Sequence, residues 1–571
     1  MLFNSYVFLF LFLPLVLLGW YSLNRARRYR AACVFLTGMS LWFYAYFNYY
    51  YLFIILASIA VNYGLSGALA VFEKRYGGAA SDIRSAAAKS CAETTAARGT
   101  AKPHAGTAAA CASAAKSRFE TTAACDNTFS PTPPLLRLRR LFLALGLAAN
   151  LGIFFYFKYY DFFIENINAL FGSDFTLKHI LLPLGISFFT FQQLSFIIDR
   201  ARGRARHYPL VSYATFVTFF PQLIAGPIVL YDEMMPQFEN VQNRRFQSKS
   251  FARGVVLFVL GLAKKVLLAD VLALPANYGF ASAYYLDTGA AALTLLSYAF
   301  ELYFDFSGYC DMAMGFGKMF NIELPENFDA PYRACTVKEL WNRWHKTLTR
   351  FFTQYVYFPL GGSRRGAPRT VLNILLVFAL SGLWHGANWT FIVWGLMQGA
   401  LVVWDTVGLV AVAPASGQRP AGTLLSRTGR RPLLTVPRAV GGVCTFAMFT
   451  LSLVFFRSSD LTYAGAMLRR LCIPLWPGWI LRTAQTVELP ELYVLTKGVQ
   501  QLWPAAEPYV YLAIWLSLLA FGAFLILTQK KARTIAMEAR LTGRFCFGIA
   551  LLFVWCVASL SQVSTFLYFN F

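Results

Sequence analysis

The chain has 571 residues, of which 57% are apolar, 17% aromatic and 14% charged. A soluble globular chain carries about 25% charged residues, so this composition excludes a soluble fold and predicts an all-α, polytopic membrane protein. The formal net charge is +24, but the basic residues cluster in short loops between apolar runs. That is the positive-inside pattern, which points to a lipid bilayer rather than nucleic acid as the partner.

The N-terminus is apolar from Met1, without a basic leader or a small-residue cleavage site, and reads as a retained span. A first span over residues 5–23 is followed at once by Arg25, Arg27, Arg28 and Arg30, which puts that loop in the cytoplasm and the N-terminus outside. Residues 31–72 contain no charge. At 1.5 Å per residue they extend about 63 Å, enough for two crossings of a core about 30 Å thick. Residues 73–140 form a basic cytoplasmic loop with eleven Lys/Arg and five Asp/Glu. Within it, 85–115 has no large apolar side chain, cannot build a core, and is expected to be disordered.

Residues 141–160 lead out, and 181–198 return to Arg200, Arg202, Arg204 and Arg206. The apolar stretch 210–230 is interrupted by Pro221, Gly226 and Pro227 and has basic flanks on both sides. It is expected to dip into the membrane and return, with a kinked ordinary span as the alternative. Residues 254–274 lead out, and 290–314 return carrying Glu301, Asp305 and Asp311. Carboxylates at that depth cost about 2.5–3.5 kcal/mol each on insertion scales. Structural pairing with Arg333, Arg343 or Lys318 is expected for them in preference to catalysis. Residues 370–404 hold no Lys, Arg, Asp or Glu and make two short spans meeting near His385. Spans at 440–456, 509–527 and 545–561 complete about twelve, with both termini outside and an outside loop over 457–508. The chain thus divides into N-terminal spans (1–72), the basic loop (73–140), a core (141–410) and C-terminal spans (411–571). The ten cysteines show neither C-x-x-C nor Cys/His spacing, so no metal site is expected.

Two of the five histidines stand beside tryptophans in apolar sequence. T-V-K-E at 336–339 is a capping box that starts a helix near Val337. On that helix Trp341, Trp344, His345 and Leu348 fall at i, i+3, i+4 and i+7, one face. His385 follows Trp384 and precedes Gly386, Ala387 and Asn388, where a long apolar helix ends. Taken alone, a histidine near tryptophans is more often packed than catalytic. The absence of G-x-S-x-G, H-E-x-x-H, Walker and G-x-G-x-x-G motifs disfavours hydrolase, zinc protease, ATPase and dehydrogenase chemistry. Acyl transfer to a hydroxyl needs a base near the alcohol, a donor held close and a site closed to water. Histidine, with an unperturbed pKa of about 6.5, is the natural base.

W-x-R-W-H at 341–345, F-P-L-G-G-S-R at 358–364 and L-W-H-G-A-N-W-T-F-I-V-W-G at 383–395 stand in that order. With them come L-P-L-G-I-S-F-F-T-F-Q at 182–192, F-P-Q-L-I-A-G-P-I at 220–228, L-Y-F-D-F-S-G-Y-C-D-M-A at 302–313 and a terminal F-L-Y-F-N-F. Together they resemble the membrane-bound O-acyltransferase (MBOAT) family over nearly all of the chain except 73–134. The likeness is greatest to the branch that serves bacterial alginate O-acetylation, with the membrane proteins of teichoic-acid D-alanylation as cousins. The resemblance implies helical spans and re-entrant segments around a central tunnel. It implies His385 as the base that deprotonates the acceptor hydroxyl, and His345 as a second site residue that orients an acyl group or shares the proton network. Trp341, Trp344 and Trp384 would wall the passage, ordinary membrane packing being the alternative. Asn388 would orient an imidazole or a carbonyl, and Asp305 is a supporting residue. The donor implied is acetyl-CoA on the cytoplasmic side, with no bound cofactor. A periplasmic SGNH-type acetyltransferase would complete transfer to a polysaccharide, which sets the protein in a bacterial inner membrane. D-alanyl transfer from a carrier protein and transport without chemistry are the alternatives.

Overall fold

A computed structural model of the chain describes residues 1–97, 133–413, 423–424, 432–473, 478–560 and 567. Helices account for nearly all its regular structure, as uncharged apolar runs at membrane depth require. Seven are long and apolar enough to cross a membrane: Phe8–Arg25, Tyr50–Arg75, Leu135–Phe171, Ala367–His385, Trp389–Val407, Arg438–Arg457 and Glu507–Thr528. The other apolar helices fall short of that criterion by length or by charge. Tyr29–Ala45 and Gly543–Ala558 are short, and Ile186–Ala201 is both short and buried along nearly its whole length. Residues 457–508 carry the helices Leu461–Cys472, Trp479–Ala484 and Tyr493–Leu502. Val410–Val412 and Leu434–Val436 pair as a short parallel ladder.

The helix Thr288–Met319 is the buried axis of the protein. Ser248–Ala263 and Asp270–Ala281 lie along it, joined without a break by a π-helical stretch at Lys264–Ala269. The two axes approach along a glycine seam. A Cβ on Gly261 would stand 2.6 Å from the Gly308 carbonyl oxygen, and one on Gly315 2.8 Å from that of Gly254. The π stretch widens the helix and turns two sequential lysines toward the same neighbour. Lys264 pairs with Asp311 at 2.6 Å, and Lys265 with Asp305 at 2.7 Å and Asp270 at 2.8 Å.

These partners correct the expected ones. Arg333 donates to the carbonyl oxygens of Ile526 and Gln529, Arg343 pairs with Glu339, and Lys318 with Glu323. The reason is the π-helical stretch, which sets Lys264 and Lys265 directly against the carboxylates while the other three side chains are held elsewhere. Asp305 Oδ1 faces Lys265. Its other oxygen accepts from the Leu567 backbone N–H at 2.8 Å.

The stretch 210–230 breaks, as its prolines and glycine predict. Leu210–Thr218 ends at Phe219, a four-residue helix Phe220–Leu223 follows, and irregular backbone runs on to Leu230. Residues 215–230 are all buried, the condition for irregular backbone at membrane depth. A second difference concerns the alanine-rich insert. The helix that starts at Tyr50 continues to Ala97, through the opening of the segment expected to be disordered. Alanine is the strongest helix former, so a segment that cannot build a core can still be helical. The remainder of that expectation, 98–115, lies outside the described residues.

Candidate active site

Thr336 Oγ1 accepts from the Glu339 N–H at 3.1 Å, and the helix begins at Val337 as its capping box predicts. The expected single face of Trp341, Trp344, His345 and Leu348 is interrupted. The helix ends at Arg343, His345 adopts a left-handed backbone with φ +45°, and a second helix runs from Lys346 to Phe352. Asn327 causes the break. Its carbonyl oxygen accepts from Lys346 N–H at 2.9 Å. Its side-chain Oδ1 accepts from Thr347 N–H at 3.2 Å and from Thr347 Oγ1 at 3.0 Å. The second helix is therefore capped from a distant loop, and His345 absorbs the change of direction. A non-glycine residue held there costs about 1–3 kcal/mol, strain that clusters at functional sites.

Asn327 Oδ1 also stands 3.1 Å from His345 Nδ1. An amide oxygen only accepts, so Nδ1 carries the hydrogen and Nε2 the lone pair. Nε2 has no hydrogen-bond partner among the described residues. The ring is wholly buried, 4.9 Å from Phe306 and 6.0 Å from Trp384 between centroids. The loop that carries Asn327 is tethered by Lys531, which lies 3.0 Å from Glu326 and 2.9 Å from Asp329. Burial pushes the Asp329 carboxyl up, but Lys531, backed by Lys346 and Arg343, outweighs it and holds the group below its ordinary value.

The uncharged run 370–404 folds as the two expected helices, Ala367–His385 and Trp389–Val407. Glycines set their crossing, since a Cβ on Gly395 would stand 2.9 Å from Gly382 Cα. This close hairpin brings His385 to the tip. His385 Nδ1–H donates to the Ser381 carbonyl at 2.6 Å, one turn back, so here too the lone pair is on Nε2. The ring packs edge-on against Trp384 at 4.7 Å, Trp394 at 5.0 Å and Phe456 at 5.3 Å. Lys158 closes the helix end. Its ammonium donates to the carbonyls of Trp384 at 2.5 Å and His385 at 3.0 Å, and Tyr159 Oη donates to Leu383 at 2.6 Å. A cation there complements the negative end of the helix dipole. No motif marks Lys158, but a lysine inside F-F-Y-F-K-Y-Y must find carbonyl or carboxylate partners at that depth, which is the signal for it in the sequence.

Trp384 lies between the two imidazoles and stacks on Phe191 at 5.4 Å. Trp341 donates from Nε1 to Gln398 Oε1 at 3.1 Å, and Gln398 passes the contact to Ser452 at 2.8 Å. Trp344 stacks on Tyr332 at 5.8 Å and meets Phe328 edge-on at 5.1 Å. Asn388 does not turn toward His385. Its Oδ1 caps the following helix at Thr390 N–H (3.0 Å), and its Nδ2 donates to the Ser459 carbonyl (2.6 Å). Asp305 is engaged by Lys265 and Leu567, not by either histidine. A cavity of about 280 Å³ is lined by Lys338, Trp341, Thr349, Thr370, Phe378 and Ser381, among others. From Thr370 to Ser381 along one helix it runs about 16 Å, and it ends at the residue whose carbonyl holds His385.

Residues 175–421 match the model of the membrane-bound O-acyltransferase family, a segment that contains both histidines. The chain is 35% identical over 495 residues to a peptidoglycan O-acetyltransferase of Helicobacter pylori, covering 82% of this chain and 79% of that protein. A probable alginate O-acetylase of Pseudomonas aeruginosa is 39% identical over 337 residues, 58% of this chain and 60% of that one. A teichoic acid D-alanyltransferase of Streptococcus thermophilus is 29% identical over 244 residues, 40% of this chain and 58% of that one.

Proposed function

The chain belongs to the membrane-bound O-acyltransferase family, and we propose that it moves acetyl groups from a cytosolic donor across the membrane for O-acetylation of an envelope or exported polysaccharide. The observation that carries this reading is the imidazole pair. Each ring has its Nδ1 hydrogen held by an oxygen, which leaves the lone pair on Nε2, and each is buried among aromatic rings. His385 is the base and His345 supports it. The acceptor hydroxyl gives its proton to His385 as its oxygen attacks the acyl carbon. When the bond to the leaving group breaks, the same proton returns to that group.

Acetyl-CoA is the donor in this reading. Its thioester arm enters the cavity at Lys338 and Thr370 and presents the acyl group near Ser381 and His385. The identity and coverage of the O-acetyltransferase relatives support acetyl over D-alanyl transfer, whose relative matches less of the chain at lower identity. The enzyme works in a bacterial inner membrane, and an SGNH-type periplasmic acetyltransferase completes transfer to the polysaccharide. The test is to supply labelled acetyl-CoA to the purified protein. Label should appear on an added glycan or on the protein. Donor left intact in the presence of acceptor and partner would contradict the reading.

A further inference from the structure

Tryptophan N–H groups usually find a partner when buried, and two buried indoles in this protein do. Trp341 donates to Gln398 at 3.1 Å and Trp515 to Ser297 at 2.8 Å. Trp384 and Trp394 depart from that pattern. They are 4% and 2% exposed, and neither Nε1 has a hydrogen-bond partner among the described residues. An unpaired buried donor is destabilising, and each such group in a native protein calls for an explanation. Trp20 shares the property, but its ring neighbours are Phe238 and Phe320, with no histidine among them.

Both unpaired indoles flank His385, at 4.7 Å and 5.0 Å and at the same steep 79° angle to its ring. They come from opposite arms of the Gly382–Gly395 hairpin, so the glycine contact that fixes the crossing also fixes the two rings. An acyl transfer builds negative charge on the acyl oxygen in its transition state. Donors that are already fixed and shielded from water stabilise that charge without reorganising. We propose that the indole N–H groups of Trp384 and Trp394 form the oxyanion site of this enzyme, receiving the carbonyl oxygen of the acyl donor beside His385.

This proposal rests on the acyl-transfer reading above and balances as follows. The acceptor O–H proton passes to His385 Nε2 while the hydroxyl oxygen bonds to the thioester carbon. The carbonyl electron pair moves onto its oxygen, which accepts from the two indoles. Collapse re-forms the carbonyl, breaks the carbon–sulfur bond and returns the proton from His385 to the thiolate. Both indoles are catalytic residues in this scheme, since each touches a reacting atom.

Trp384→Phe and Trp394→Phe remove the N–H and keep an aromatic ring. With the full-length protein and labelled acetyl-CoA, each should lower kcat about 10²–10³-fold, the usual cost of one oxyanion donor. KM for acetyl-CoA should stay within about threefold, because the donor's ground state gains little from these groups. Trp20→Phe, which removes an unpaired N–H whose ring packs on Phe238 and Phe320 and on neither histidine, should leave kcat unchanged. If phenylalanine packs poorly, benzothienylalanine at 394 replaces the N–H with sulfur at nearly constant shape and should reproduce the loss. Wild-type rates in Trp384→Phe and Trp394→Phe, or a full rate with benzothienylalanine, would overturn the proposal. If wild-type protein takes no acetyl from acetyl-CoA, the donor assignment fails. The acyl content of the envelope polymer in cells carrying the same variants then decides the role of the indoles independently.

Discussion

Replacing Asn327 by alanine should damage both stability and rate, because one side chain holds the break on which His345 sits. Its Oδ1 serves Thr347 N–H, Thr347 Oγ1 and His345 Nδ1 at 3.0–3.2 Å, and its Nδ2 faces Cys310 Sγ at 3.4 Å. Loss of the cap costs about 1 kcal/mol. Leaving the buried His345 Nδ1–H unpaired costs about 1–3 kcal/mol more. The sum, about 2–4 kcal/mol, is a large part of a typical domain's stability. With its partner gone, His345 can change tautomer and leave its left-handed backbone, so the transfer rate should fall as well. Asn327→Asp keeps the acceptor and should retain more of both properties. The assays are thermal unfolding of the purified protein in one detergent and acetyl transfer normalised to folded protein. Histidine-selective ¹⁵N spectra would read the tautomer directly. An alanine variant with the wild-type midpoint and the wild-type rate would refute the assignment.

Lys158→Met should lower the transfer rate with little effect on donor KM, since it uncaps the helix end that carries His385 without touching the cavity; unchanged kcat would argue against that link. Asp305→Asn should reduce the amount of folded protein more than the rate per folded molecule, because Lys265 loses one of its two carboxylates and breaking a buried pair costs about 3–5 kcal/mol; a normal yield of inactive protein would make Asp305 a site residue. The Lys531 tether stabilises the fold above the unfolded carboxyl value of about 3.9, because Asp329 is held below that value in the folded protein. Its contribution is lost as pH falls through the folded value. The stability difference between wild type and Lys531→Gln should therefore be flat from about pH 6 to 8 and shrink below about pH 4, and a difference that grew on acidification would contradict the sign.

Local signals carried the parts of the fold that local chemistry decides. The absence of charge over 370–404 and the Gly-Ala-Asn sequence after His385 specify two short helices and their turn. Pro221, Gly226 and Pro227 specify the broken stretch, and Thr336 with Glu339 specifies a helix start. What was hidden depends on partners distant in sequence. Helical periodicity carried His345 onto the face of Trp341, but Asn327, eighteen residues upstream, overrides that period by capping the next helix. Lys264 and Lys265 read as residues of an apolar run. Only the π-helical stretch lets neighbours in sequence reach carboxylates six residues apart on the facing helix. Asn388 looked like an orienting amide because it stands near His385 in sequence, yet its position ahead of Trp389 makes it a helix cap. The site itself was legible as two histidines among tryptophans; the roles of Asn327, Lys158 and Trp394 emerge only from how the helices meet.

The most direct test of the central claim is acetyl transfer by His385→Ala, His345→Ala and the double variant, each normalised to folded protein in the membrane. His385→Ala should lose about 10²–10⁴ in rate, the usual loss for a positioned base. His345→Ala should lose less, and the double variant should be little worse than His385→Ala alone, because residues that act as one unit are not additive. Near-normal transfer by folded His385→Ala would contradict the account.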